Sequence, residues 1–143
     1  MNKTFYDFTV YKLPNTENFQ EKISGTNDKG ILIVFLDEQR TELEAFLKKI
    51  IASIKLDYEK DCLILRGSHV DLLPTMAQLK SQFTFKKTLI FGFKGKDLGL
   101  NIETPLYTAF VFNENRYLFA DKLSIIENSV ERKKALWSVL QSL

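Results

Sequence analysis

The chain alternates short continuous apolar runs with longer segments in which apolar residues recur every three or four positions. Continuous runs of four to six apolar residues are typical of strands that are buried on both faces of a sheet. The runs predict four strands, at 31–36, 62–66, 87–92 and 107–112. A fifth run at 116–119 follows Asn113, Glu114 and Asn115, which predicts a hairpin with a short turn.

The segments between these strands have helical spacing. Thr41 and Glu44 have the spacing of a capping box, so we expect a helix that begins with Thr41 as its N-cap. Its predicted inner stripe is Leu43, Phe46, Leu47, Ile50, Ile51 and Ile54. A second helix is predicted over 72–83, with Pro74 in its first turn, where a missing N–H costs nothing.

Two more helices are predicted near the C-terminus. The first is short and carries Leu123 and Ile126, and the second is capped by Ser129. Its predicted inner stripe is Leu136, Val139, Leu140 and Leu143. Strands separated by helices predict an α/β fold, here a three-layer sandwich with a mostly parallel central sheet of about four strands plus a short hairpin strand.

At 143 residues the chain has the size of one domain, so we expect a single α/β domain over 1–143. Residues 1–29 are the least periodic part, yet they contain several aromatic residues. One interpretation is an edge strand or a segment laid over the core. The other is a partner-binding arm, because clustered aromatic residues often anchor interfaces; its anchors would be Phe5, Tyr6, Phe8 and Tyr11.

Charge and cysteine content narrow the function classes. Twenty basic and 18 acidic residues leave a net charge of +2, far from the excess expected of a protein that grips nucleic acid over its whole surface. The single cysteine, Cys62, excludes an internal disulfide. No N-terminal apolar stretch has the length of a signal peptide or a membrane span, so we expect a cytoplasmic protein.

Candidate catalytic groups are few. Asp37 and Glu38 follow the first strand, at the edge where open α/β sheets bind ligands, but acidic residues just before a helix are also favoured by its dipole. No glycine follows this strand to let a backbone approach a phosphate or a base. His69 is the only histidine, so a metal site with two or three histidine ligands cannot form. We expect no catalytic residues, no metal and no cofactor.

Two further groups of residues are candidates for binding. The first group is Lys86, Lys87, Phe93, Lys94 and Lys96, in a stretch that interleaves lysine, glycine and an aromatic residue. This composition suits contact with a nucleic-acid backbone and a base. Lysines that flank strands also solubilise loops, however. Trp137 lies at the margin of the last helix's inner stripe. It is expected either to close the edge of the core or to anchor a partner.

Three segments in this order resemble the uracil-DNA glycosylase-like superfamily. The first, 47–56 followed by 61–64, resembles the helix and second strand of small bacterial glycosylases. The second, 89–92, resembles their third strand and its following glycine, and the third, 133–140, resembles their terminal helix. Those glycosylases carry a Gly/Pro-rich loop with a water-activating group after the first strand, and a histidine-containing loop near the C-terminus. Here the two stretches are 37–40 and 119–124, and neither matches.

The psi-subunit family of bacterial DNA polymerase III shares this frame and is not catalytic. The chain resembles it in size and at Lys133, Lys134, Leu136 and Trp137. The resemblance implies a non-enzymatic adaptor that binds a chi-like subunit through its folded body and the clamp loader through an N-terminal arm, here Met1 to Leu13. The alternative is a nucleic-acid-binding or residually hydrolytic member of the glycosylase-like fold that uses Asp37, Glu38, His69 and the loop 92–99.

Overall fold

The computed structural model of the chain describes residues 22–68 and 73–143. Within these ranges the strands are β1 (Ile23–Ser24), β2 (Ile31–Leu36), β3 (Cys62–Gly67), β4 (Lys87–Phe91), β5 (Phe110–Phe112) and β6 (Asn115–Ala120). The helices are α1 (Thr41–Ser53), α2 (Met76–Gln82), α3 (Leu123–Glu127) and α4 (Val130–Gln141). The expected α/β class is confirmed.

The six strands form one mixed sheet in the order β1-β3-β2-β4-β6-β5. The four inner strands run parallel, and an antiparallel strand closes each edge. The prediction of a mostly parallel sheet with about four strands and one hairpin strand was therefore wrong. Strand β1 is only two residues long, which is too short to produce an alternating pattern that sequence analysis could detect.

The fourth parallel strand is also not where it was predicted. Strand β6 pairs with β4, whereas the expected strand 107–112 forms an antiparallel edge strand only at Phe110–Phe112, and Tyr107 donates a single backbone hydrogen bond to Phe119. The inner position of β6 includes a buried polar contact between it and β4. The Thr88 hydroxyl donates a hydrogen bond of 3.0 Å to the side-chain carbonyl of Asn115. The predicted hairpin between β5 and β6 is confirmed, and its turn residues Asn113 and Glu114 both have positive φ.

Cores lie on both faces of the sheet. The residues of β2 alternate between them: Ile31, Ile33 and Phe35 pack with α1, α3 and α4, and Leu32, Val34 and Leu36 pack with α2 and the segment after β4. All six are buried. The continuous apolar run of this strand is explained by burial on two faces.

Two helix starts differ from the predictions. Helix α1 begins with Arg40 as its N-cap and has no side-chain cap, so the expected Thr41 N-cap is wrong, and Glu44 lies 2.8 Å from Arg66. Helix α2 begins at Met76 rather than at residue 72, with Pro74 before it. Thr75 is its N-cap, and Thr75 and Gln78 form a capping box with bonds of 2.8 and 3.1 Å. The Ser129 cap of α4 is confirmed.

Residues 22–29, the described part of the expected arm or edge segment, are attached to the sheet. Ile23 and Ser24 pair with β3, and the next residues donate backbone hydrogen bonds to the carbonyls of 59–62. Gly25 has a φ of +96°, and a Cβ there would lie 2.2 Å from the carbonyl oxygen of Cys62. This turn therefore requires glycine.

Candidate partner-binding surface

A groove of about 390 Å³ lies between α1 and α4, on the outer side of the helices that cover one face of the sheet. Leu47 and Ile51 of α1 and Leu136 and Leu140 of α4 pack toward the sheet. The groove lies beside these buried residues, and Leu136 and Leu140 also contribute to its lining. Its apolar lining consists of Phe46, Ile50, Ile126, Leu136, Trp137 and Leu140.

Trp137 is the most exposed aromatic side chain of this groove, at 54% relative accessibility. It lies one residue after buried Leu136, and this position turns its indole about 100° away from the sheet. Lys133 lies one turn before Trp137, and its ammonium group is 5.8 Å from the ring centroid of Phe46 on α1. The two helices are thus linked across the groove by a cation–π contact.

Three lysines border the groove: Lys49 on α1 and Lys133 and Lys134 on α4. No aspartate or glutamate is among the lining residues in the part of the chain that the structure describes. Lys133 and Lys134 are the fourth and fifth residues of α4, just after the first turn, which contains Glu131. The groove therefore combines an apolar interior with a positively charged rim.

The start of α4 is held in place by a shared carboxylate. Asp121, which follows β6, accepts a bond of 2.8 Å from the Tyr107 hydroxyl and one of 2.9 Å from Arg132 Nε. Burial and the bond to Asp121 raise the pKa of Tyr107 to about 12. The phenol is therefore a hydrogen-bond donor at neutral pH, and Asp121 joins it to Arg132 in the first turn of α4.

The carboxylates at the end of β2 are engaged in contacts within the fold. Asp37 accepts a bond of 2.8 Å from the backbone N–H of Gln39, whose φ is +61°. Glu38 accepts from both the hydroxyl and the backbone N–H of Ser124, at 2.5 and 3.1 Å, and so caps the N-terminus of α3. Gln39 therefore adopts the left-handed conformation that glycine usually adopts in such a loop.

A second cluster lies beside this loop. Arg66 on β3 is 2.8 Å from Glu44 and 3.8 Å from Asp37, and its guanidinium is 5.1 Å from the ring centroid of Phe35. The Tyr58 hydroxyl donates to the other oxygen of Glu44 over 3.1 Å. Partial burial would raise the pKa of Glu44, but the hydrogen bond and charge of Arg66 and the bond from Tyr58 hold it below its usual value.

Of the other candidate reactive groups, the structure describes Cys62. Cys62 is fully buried at the start of β3, and burial followed by the negative charges of Asp61 and Asp57 raises its pKa to about 12. His69 lies outside the described residues. Among the residues that are described, no three histidine, cysteine or acidic side chains cluster in a way that could hold a metal ion.

The residues considered for nucleic-acid contact do not form one surface. Lys86 and Lys87 lie at the amino end of β4, whereas Phe93, Lys94 and Lys96 follow its carboxyl end, roughly 13 Å of strand away. Phe93 is only 8% exposed and packs in the core beneath α2. The ammonium group of Lys87 donates to the carbonyl of Leu143 over 3.1 Å, near the C-terminal end of α4.

The four aromatic residues proposed as partner anchors near the N-terminus, Phe5, Tyr6, Phe8 and Tyr11, lie outside the described residues. Of the predicted partner-binding residues, the structure describes Trp137. Sequence analysis missed that Phe46 and Ile50 belong to the same surface. The signal in the sequence was the apolar stripe predicted for α1. It contains six residues and is wider around the helix than the stripe of about 100° that typically faces a core.

No helix in the described ranges is both long enough and apolar enough to cross a membrane. No protein-family model matches the chain, and no curated protein sequence matches it. The residues around Trp137 are therefore the basis for a functional assignment.

Proposed function

We propose that the chain is a non-enzymatic adaptor that acts by protein–protein contact, with the groove between α1 and α4 as its contact surface. The observation that carries this proposal is Trp137, which is 54% exposed beside an apolar groove with a lysine rim. Exposed apolar surface with a polar border is typical of interaction sites, and tryptophan is enriched among the residues that dominate binding energy. The occupant is a segment of a partner protein with apolar side chains.

The proposed assembly is the clamp loader of bacterial DNA polymerase III, in the cytoplasm, with the chain in a psi-like role. A chi-like subunit or a clamp-loader subunit is the proposed partner. This step rests on the resemblance to the psi family in size and in the C-terminal pattern. Its support from the structure is that four residues that carry the resemblance, Lys133, Lys134, Leu136 and Trp137, also line the groove.

We propose further that the fold is the three-layer uracil-DNA glycosylase-like sandwich. The four inner parallel strands, with helices on both faces, support this assignment. An experimental structure superposed on a small bacterial glycosylase tests it. The four parallel strands and α1 should align in the same chain order, and a different order of strands would contradict the assignment.

The proposal that the chain is not an enzyme is supported by the contacts of Asp37 and Glu38. Each carboxylate accepts hydrogen bonds within the fold, from Gln39 and from Ser124. These contacts have structural roles: the one to Asp37 orders the loop after β2, and those to Glu38 cap α3. We therefore expect uracil-containing DNA to remain intact with the protein. Formation of abasic sites that disappears in Asp37→Asn would contradict this.

The adaptor role is tested with purified chi-like and clamp-loader subunits from the same cell. Trp137→Ala should weaken the interaction by more than about tenfold in calorimetric titration, because removal of an interface anchor typically costs about 2 kcal/mol or more. The matched control is Val130→Ala, which removes another exposed apolar side chain of α4, 67% exposed and outside the groove. Equal binding by both variants, or no binding by the parent protein, would refute the proposal.

A further inference from the structure

The rim of the groove restricts the kind of partner that fits it. Lys49, Lys133 and Lys134 form no ion pair with a residue in the described ranges. Two arginines near the starts of α1 and α4 are ion-paired: Arg40 pairs with Glu127 at 3.3 Å, and Arg132 pairs with Asp121 at 2.9 Å. The groove thus combines three lysines that have no ion pair in the described ranges with a lining that contains no acidic residue.

The position of α4 adds to this potential. Lys133 and Lys134 lie just after the first turn of α4, on the side of the positive end of its dipole, and Glu131 in that turn offsets part of the dipole. The other end of the helix is electronegative, and there Arg116 and Lys87 donate to the carbonyls of Ser142 and Leu143. An acidic ligand in the groove is therefore favoured near Lys133 and Lys134.

The shape of the groove favours a helix as the ligand. Its two walls are helices that pack on the same face of the sheet, and its floor is apolar along the length from Phe46 to Leu140. An amphipathic helix can place its apolar stripe in such a groove and keep its polar face in water. Its acidic side chains would then reach the lysine rim, where the charges stay partly hydrated.

We propose that the groove between α1 and α4 binds an acidic amphipathic helix of the partner, with the apolar stripe against Trp137 and Phe46 and with carboxylates at Lys49, Lys133 and Lys134. The inference rests on the proposed function, since it names the chemistry of the partner at the same site. Charge complementarity selects the partner and its orientation, and the apolar contacts supply most of the affinity.

The single tryptophan of the chain is a direct reporter for the test. The probe is a synthetic 14-residue helical peptide with leucines at positions i, i+3, i+4 and i+7 and glutamates on the flanks. The control peptide has the same sequence with lysine in place of every glutamate. We expect the glutamate peptide to shift the Trp137 emission to shorter wavelength, because the indole becomes buried, and the lysine peptide to bind at least tenfold more weakly.

Charge variants complete the test. Lys49→Gln with Lys134→Gln should weaken binding of the glutamate peptide about tenfold, since each partly exposed charge pair contributes about threefold. The matched control, Lys94→Gln with Lys96→Gln, removes the same charge at the other end of the sheet and should leave binding unchanged. Thermal unfolding of both variants confirms that the fold is intact.

Other outcomes overturn the inference. Equal binding of the two peptides, no emission shift with either, or equal effects of the two lysine pairs would each show that the groove does not select acidic helices. A shift produced by a single-stranded oligonucleotide and not by the glutamate peptide would assign the rim to phosphate groups instead. If Trp137→Ala abolishes binding of the native partner while the lysine variants do not weaken it, the adaptor role stands and this inference fails.

Discussion

The carboxylate of Glu38 binds Ser124 through two hydrogen bonds, one from the hydroxyl and one from the backbone N–H, across 86 positions of sequence. It thereby joins the loop after β2 to the N-terminus of α3, which forms part of the floor of the groove through Ile126. The loop that would hold catalytic groups in an α/β enzyme here stabilises the helices that border the groove.

Glu38→Ala should therefore destabilise the fold. Loss of a cap and its side-chain bond costs about 1–2 kcal/mol, which chemical denaturation will measure as a lower midpoint with an unchanged slope. The control is Glu103→Ala, an exposed loop carboxylate, which should change stability by less than about 0.5 kcal/mol. Equal stability of the two variants would show that the Glu38 contact contributes nothing.

The contact of Glu44 with Arg66 predicts how stability depends on pH. Because the pKa of Glu44 in the folded protein lies below its ordinary value of 4.5, the unfolded chain binds the proton more tightly. The resulting stabilisation is complete above pH 4.5 and is lost as the pH falls through the folded pKa. Unfolding free energies between pH 3 and 7 should show this decline, and Glu44→Gln should make it shallower.

The opposite result for Glu44→Gln would contradict this explanation of the pH dependence. A variant whose stability declines with acid as steeply as that of the parent protein would place the acid sensitivity in other carboxylates. Glu42→Gln serves as the control, since this residue of the same helical turn is more exposed, with 63% of its side chain accessible compared with 28% for Glu44.

Cys62 should not react with thiol reagents in the native protein. Its pKa of about 12 leaves roughly one thiolate in 10,000 molecules at pH 8, and the side chain is fully buried. The rate at which a thiol reagent labels Cys62, measured by absorbance, should equal the rate of unfolding and should become fast in denaturant. Rapid stoichiometric labelling without denaturant would mean that β3 opens far more readily than its burial indicates.

The aromatic residues near the N-terminus make a separate prediction. Phe5→Ala with Tyr6→Ala should weaken capture of the native partner by more than about tenfold and leave unfolding cooperative, because aromatic anchors bury a large area and lose few rotamers. Calorimetric titration with the purified partner measures this, and Asp37→Ala should have little effect. Unchanged binding with a melting temperature several degrees lower would identify the segment as part of the core.

The sequence determined the features that depend on local pattern. Strand β2 was predicted with its observed bounds because burial on both faces requires a continuous apolar run. The Ser129 cap, α3 and the hairpin at Asn113 were also predicted, since a cap or a two-residue turn involves only neighbouring residues. Each of these features is specified within a few residues of chain.

Tertiary structure decided the features in which two segments compete for one position. Residues 107–112 and 115–120 are both rich in apolar residues. Pairing with β4, beside the contact of Thr88 with Asn115, decides which of them is the inner strand. Glu44 had the spacing to cap α1 but binds Arg66, which is 22 positions further along the chain.

The groove arises in the same way. The pattern of α4 places Trp137 at the edge of its buried stripe, but it does not show what lies opposite. Only the packing of α1 and α4 on one face of the sheet brings Phe46 and Lys49 to the same surface. The physical reason is that side-chain periodicity records which face of a helix is apolar, whereas the neighbour of that face is set by contacts between residues far apart in the chain.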